Sequence, residues 1–207
     1  MTREEEARLV RDIRAGDGDA FETLVREHQT RVYNLALRMT GNPEDAMDIS
    51  QETFLKAWRT MGKYRGDCSL GSWLYRIASN LCIDLLRKNK RRQAEKIVSL
   101  DDPGEDGRPL ELPDLREEPQ AILEREENRR AVWECLETLP EEQKLILILR
   151  DVNGLSYEEI GAAMDLELGT VKSRIFRARE RLAKLLLDRG TFDPVPSSNT
   201  QKKGRRR

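Results

Sequence analysis

Apolar side chains recur along the first half of the chain at the spacing of helices. Phe21, Leu24, Val25, His28, Val32, Leu35, Ala36 and Met39 fall on one stripe, which ends at Gly41. Asn42 then suits an N-cap, Pro43 the first helical position, and Glu44 and Asp45 the positive end of the helix dipole. A second helix is therefore predicted from that point, with Ala46, Ile49, Phe54, Ala57, Trp58 and Met61 on its apolar face and a stop near Gly62. The stretch KYRGDCSLGS carries two glycines and several polar groups and reads as a loop, after which Trp73, Leu74, Ile77, Ala78, Leu81 and Leu85 restore the pattern. With a short helix over 4–15, these three antiparallel helices make a compact N-terminal bundle.

Beyond about residue 94 the period is lost and Pro103, Gly104, Gly107, Pro109, Pro113 and Pro119 enter. Such composition buries too little apolar surface to offset its ordering entropy, and it predicts a flexible linker over 94–120. Helical signal returns over 121–136 and continues over 140–152, where Asn153 and Gly154 supply a C-cap. Ser156 and Glu159 have the spacing of a capping box for the next helix, Asp165 ends it as a turn residue, and a last helix runs over 170–187. No strand pattern occurs. The expected fold class is all-α: two small helical domains, an N-terminal helical bundle over 1–93 and a C-terminal helix-turn-helix domain over 121–189, joined by a flexible acidic linker. A polar, basic tail over 190–207 is expected to be disordered.

Charge changes this picture by where it sits. The net charge of −1 over 207 residues excludes a protein that coats nucleic acid indiscriminately, so any contact with it must come from local segregation. Arg87, Lys88, Lys90, Arg91 and Arg92 form one basic cluster, Lys172, Arg174, Arg177, Arg179, Arg181 and Lys184 form another, and the segment between is acidic. Cys68, Cys82 and Cys135 lack any CxxC or CxxH spacing, so neither a disulfide framework nor a zinc site is supported, and no metal or cofactor is expected. The longest apolar run, LILIL at 145–149, is far short of a membrane span, and a cytoplasmic location follows as an expectation. His28, the single histidine, lies on an apolar face with no nucleophile spaced to match it and reads as structural; no enzyme and no small-molecule substrate are expected.

The stretch GTVKSRIFRARERL decides between a solvated helix and a groove-reading one. Val171, Ile175, Ala178, Leu182 and Leu185 share one side, which leaves Lys172, Ser173, Phe176, Arg177 and Arg179 outward and Arg174 on the flank. A solvated face would mix acids and bases at i,i+4 spacing, yet Glu180 is the only acid over 170–187. Cations can contact phosphates and guanines, and an outward Phe176 has no reading as core. A short capped helix, a turn and a longer basic helix have the spacing of a helix-turn-helix.

Together, LPEEQKLILILRDVNGLSYEEIGAAMDLELGTVKSRIFRARERL, DAMDISQETFLKAWR and YRGDCSLGSWLYRIASNLCIDLLRK strongly resemble the extracytoplasmic function (ECF) group of the sigma-70 family, over nearly all of residues 5–188. The resemblance implies a bacterial sigma factor of two domains that directs core RNA polymerase to the −35 and −10 promoter elements and aids melting. The implied partners are the beta-prime clamp helices and beta-subunit flap of the polymerase, promoter DNA, and an anti-sigma factor that could hold the protein at the membrane.

By the same resemblance, Asp48, Gln51, Glu52 and Leu55 dock on the clamp helices. Tyr64, Arg65, Ser69, Tyr75, Arg76, Asn80, Arg87 and Lys88 are implied at the −10 element, with Asn80 at a flipped base. Arg150, Tyr157, Glu158, Lys172, Ser173, Arg174, Phe176, Arg177 and Arg179 are implied at the −35 element. On residue chemistry alone, Trp73 is assigned to the core and Tyr64 to a mixed role, while Tyr75 stays open between closing the bundle and stacking on a base. Gly161 departs from the alanine usual in the family, and it reads as permitting closer helix packing. The alternative is a helix-turn-helix regulator that does not bind core polymerase. A closed arrangement with covered DNA faces is also consistent with the acidic linker.

Overall fold

The computed structural model describes residues 2–96 and 119–190. Most of the expected linker and the C-terminal tail lie outside the described residues. Among the described residues eight α-helices follow in order: α1 (Arg3–Arg14), α2 (Gly18–Thr40), α3 (Pro43–Thr60), α4 (Leu70–Lys96), α5 (Pro119–Glu137), α6 (Glu141–Leu147), α7 (Tyr157–Met164) and α8 (Leu168–Asp188). A 3-10 turn, Met61–Lys63, follows α3, and a single π-helical turn, Ile148–Val152, follows α6. Among the described residues there is no strand, and no helix is long and apolar enough to cross a membrane.

Local chemistry sets most of the boundaries. Asn42 Oδ1 accepts from the amides of Glu44 and Asp45 at 2.8 and 3.1 Å, which fixes the start of α3. Gly41 closes α2 at φ 70, a conformation open to glycine without a Cβ penalty. Asp17 caps α2 through Asp19 and Ala20, so this helix starts three residues before the apolar stripe does. The expected loop through residue 72 is shorter than read: α4 begins at Leu70, because Ser69 Oγ accepts from the Ser72 amide at 3.2 Å as a cap. Gly71, read as a loop residue, is helical, and a Cβ there would stand 3.4 Å from His28 Cε1.

The two helical regions pack directly on each other. The run Leu145 to Leu149 is buried throughout, because α6 and its π turn face α8 on one side and α2 and α4 on the other. A helix apolar on all sides needs cover on all sides. The expected continuous helix over 140–152 breaks instead at the π turn, where Asn153 N donates to Ile148 O at 2.9 Å and Leu155 N to Leu149 O at 3.0 Å. Lys144, 3 % exposed, donates from Nζ to Met39 O at the end of α2 (2.8 Å) and to Glu137 (2.6 Å). Arg38 on α2 donates to Asn153 Oδ1 at 2.7 Å. The buried side chains of both halves form one continuous core.

Candidate nucleic-acid interface

The helix-turn-helix is built from α7, its turn and α8. Ser156 Oγ accepts from the Glu159 amide at 3.1 Å and Glu159 returns the bond to the Ser156 amide at 2.8 Å, a reciprocal cap that starts α7. Asp165 takes the left-handed conformation at φ 56, and the Leu166 amide donates to Gly161 O at 2.9 Å. A Cβ on Gly161 would meet Leu166 O at 2.8 Å, so the glycine admits the turn's own backbone rather than the facing helix. Val171, Ile175 and Ala178 are buried and set the roll of α8, and Leu182 and Leu185 pack partly against the core.

That roll turns Lys172, Phe176, Arg177 and Arg179 outward, with Phe176 68 % exposed. Ser173 is half-buried and its hydroxyl donates back to Thr170 O at 3.0 Å. Arg179 makes a two-point pair with Asp151, and Arg174 pairs with Glu142 Oε2 at 2.9 Å. Arg150 donates to Leu155 O at 2.6 Å while its guanidinium lies 4.7 Å from the centre of the Tyr157 ring. Arg150 and Tyr157 thus brace the loop before α7, beside the exposed Glu158.

On α4, Arg76, Asn80 and Arg87 lie at i, i+4 and i+11, on one exposed side. Arg65 and Lys88 are exposed as well, whereas Ser69 is occupied in capping α4. Tyr64 is buried, its ring centre 5.2 Å from that of Trp73 and its hydroxyl donating to Cys68 O at 2.5 Å. Burial pushes its phenol up to about 12. Tyr75 is also buried, and desolvation raises its pKa. Both tyrosine rings are therefore turned inward, away from the position of a stacking platform.

Acids of the second half neutralise cations of both candidate faces. Glu142 pairs with Arg174 and also with Arg87 at 3.4 Å, Asp165 pairs with Arg76 at 3.1 Å, and Glu141 pairs with Lys90. The hydrogen bond from Lys90 is the main reason the Glu141 carboxyl is held below its usual range. Such exposed pairs contribute about 0–1 kcal/mol each. They neutralise part of the basic faces, while the apolar contacts and Lys144 hold the two halves together. None of these pairings follows from the sequence; the unbroken LILIL run was the available signal.

The third surface is on α3. Asp48 and Gln51 are exposed, Glu52 is half-buried and Leu55 is 49 % exposed. Trp58, expected in the core, is 42 % exposed while its ring meets Phe21 edge-on at 4.9 Å. With Met47 and Leu55 it leaves an apolar patch amid acids, a surface suited to a protein partner rather than to phosphates.

Two family models match the chain, sigma-70 region 2 over residues 24–92 and sigma-70 region 4 over residues 129–182. The RNA polymerase sigma-H factor of Pseudomonas aeruginosa is 38% identical over 186 residues, 90% of this chain and 96% of that one. The chain belongs to the sigma-70 family. Its ECF membership follows from the ECF RNA polymerase sigma-E factor of Escherichia coli K12, 38% identical over 174 residues, 84% of this chain and 90% of that one. The ECF sigma factor is also similar to solved structures. CnrH, solved in complex with the cytosolic domain of CnrY, has a TM-score of 0.62 at 25% identity, covering 89% of this chain and 98% of its own. The sigma factor RpoE of Bartonella quintana, solved with the anti-sigma factor NepR, shares the fold with a TM-score of 0.59 at 24% identity, over 81% and 96%. Region 2 in the first half sets aside a conventional regulator, and α1 of this sigma factor precedes the matched segment.

Proposed function

We propose that this sigma factor brings core RNA polymerase to promoters through three separate surfaces. The α3 face, with Asp48, Gln51, Glu52 and Leu55, docks on the beta-prime clamp helices. Arg65, Arg76, Asn80, Arg87 and Lys88 engage the −10 element and its displaced strand, with Tyr64, Ser69 and Tyr75 shaping the site from within. Lys172, Arg174, Phe176, Arg177 and Arg179 enter the −35 major groove, while Arg150, Tyr157 and Ser173 hold the reading helix in place and Glu158 stands at its rim. The observation that carries this reading is α8, one side buried at Val171, Ile175 and Ala178 and the other presenting Lys172, Phe176 and Arg177. The polymerase performs the chemistry, and the sigma factor catalyses no step.

Domains over 1–93 and 121–189 separate when the polymerase is engaged, which frees Arg76, Arg87 and Lys90 from their acidic partners. An anti-sigma factor would favour the closed arrangement; that the similar proteins CnrH and RpoE were solved with CnrY and NepR bound supports a protein partner of this kind. The test is in vitro transcription with core polymerase on promoters enriched by the protein. Replacing Arg174 and Arg177 by alanine is expected to weaken −35 binding at unchanged core affinity. Wild-type protein that never binds core would overturn the reading.

A further inference from the structure

We infer that α1 is a positioning element for the loop that engages the −10 strand, with Arg14 and Glu6 clamping that loop from its two ends. The inference rests on the reading of Arg65 and its neighbours as −10 residues. Its physical basis lies in a helix that precedes the segment matched by region 2.

Val10 and Ile13, 6% and 4% exposed, anchor α1 in the bundle. From this anchored base, Arg14 Nε donates to Met61 O at 3.3 Å and its Nη2 donates to Tyr64 O. One guanidinium thus holds two carbonyls at the start of the loop, a task that fits its rigid fork and that a point-like ammonium performs less well. At the other end, Glu6 Oε2 accepts from the amide of Leu70 at 3.4 Å, the first residue of α4, where a carboxylate also suits the positive helix terminus. Glu6 and Arg14 are two turns apart on the same helix and reach the two ends of one loop. Between them lies an open cleft of about 500 Å³, lined by Arg3, Arg11, Arg14 and Arg65 against Glu6 and the buried Tyr64.

The loop has few other supports. Tyr64 is fixed by its ring contact with Trp73 and its bond to Cys68 O, whereas Arg65, Gly66 and Asp67 are exposed and Gly66 takes φ 79. A side chain that reads a base must be held to within a fraction of an ångström. Rigid support for Arg65 therefore comes from the carbonyl of the residue before it, through Arg14.

The test uses the holoenzyme formed with core polymerase and a fluorescent single-stranded non-template oligonucleotide. Its −10 sequence is selected from a randomised library with the wild-type holoenzyme, and a scrambled strand serves as reference. Arg14→Gln and Glu6→Gln are each expected to lower the preference for the selected strand by about fivefold to tenfold, since only part of each lost charge-assisted contact is transmitted to Arg65. Affinity for the scrambled strand, for −35 duplex and for core should stay unchanged, with the thermal midpoint lowered by only about 2–4 °C. Arg14→Lys should recover part of the preference. Arg65→Ala reports on the underlying reading, since it should abolish the preference. If Arg65→Ala abolishes it while Arg14→Gln and Glu6→Gln leave it at the wild-type value, the clamp is refuted and the −10 reading stands. If Arg65→Ala itself has no effect, the −10 reading of the loop fails instead.

Discussion

Replacing Lys144 by methionine perturbs the joint between the two halves of this sigma factor at its most buried charge. Lys144 Nζ is bound to Met39 O and Glu137 Oε1, and the residue is 3 % exposed. Methionine keeps most of the apolar stem, slightly shorter, but removes both bonds. A hydrogen bond from a charged donor contributes about 1.5–3 kcal/mol. Glu137 is 54% exposed in its side chain, so its share of the pair is small and it regains water when released. Relief of the cost of burying an ammonium offsets part of the loss. The net change is about 1–2 kcal/mol against closure, a factor of roughly 5–30 in the closed-to-open ratio. The assay is resonance energy transfer between dyes at Glu22→Cys and Lys184→Cys, with Cys68, Cys82 and Cys135 replaced by alanine. Transfer should fall in Lys144→Met at unchanged helix content, and −35 duplex binding by the free protein should rise as α4 and Arg76 leave α7 and Asp165. Unchanged transfer and unchanged DNA binding, in a folded variant, would refute the role given to this residue.

Gly161→Ala gains about 1 kcal/mol of helix propensity but places a methyl 2.8 Å from Leu166 O; overpacking of about 1–3 kcal/mol should win, lowering the thermal midpoint by roughly 2–4 °C, and a higher midpoint would contradict the turn contact. Burial, then Arg31, depresses the His28 pKa. The unfolded chain thus takes up a proton below about pH 6.5 that the folded one resists, so stability falls with pH until the lower folded pKa is passed. Denaturant midpoints of His28→Asn should lack that part of the acid slope; identical slopes would show that the histidine is not desolvated. Cys82, pushed up to about 12 by burial, should resist iodoacetamide in the native protein at pH 8, whereas Cys68, raised but half-buried, should react slowly. Equal labelling rates, followed by mass spectrometry, would count against the packing around Cys82.

Local rules carry furthest where a side chain answers its own backbone. The Asn42 cap, the Ser156 and Glu159 box and the left-handed Asp165 each involve partners within a few residues, and each is legible in the order of the amino acids. The roll of α8 is legible too, because Val171, Ile175 and Ala178 repeat at the helix period. Distant partners leave no such trace. Arg38 with Asn153, Lys144 with Met39 and Glu142 with both Arg87 and Arg174 join residues far apart in the chain, and their spacing encodes nothing about the meeting. Trp58 stands outside the core for a related reason. An aromatic ring at helical spacing says which way it points but not whether another helix covers it. Gly161 was legible as unusual, though its cause was a carbonyl of the turn five residues on.

The two halves that Glu142 links through Arg87 are carried by one polypeptide. Each therefore sees the other at an effective concentration on the order of millimolar, set by the connecting chain. A contact with a dissociation constant near that value, undetectable between separate molecules at micromolar levels, is half formed within the intact chain. Cutting the connection between residues 97 and 118 would then act as a dilution of about a thousandfold. Closure built this way yields readily to any surface that binds either half with ordinary affinity.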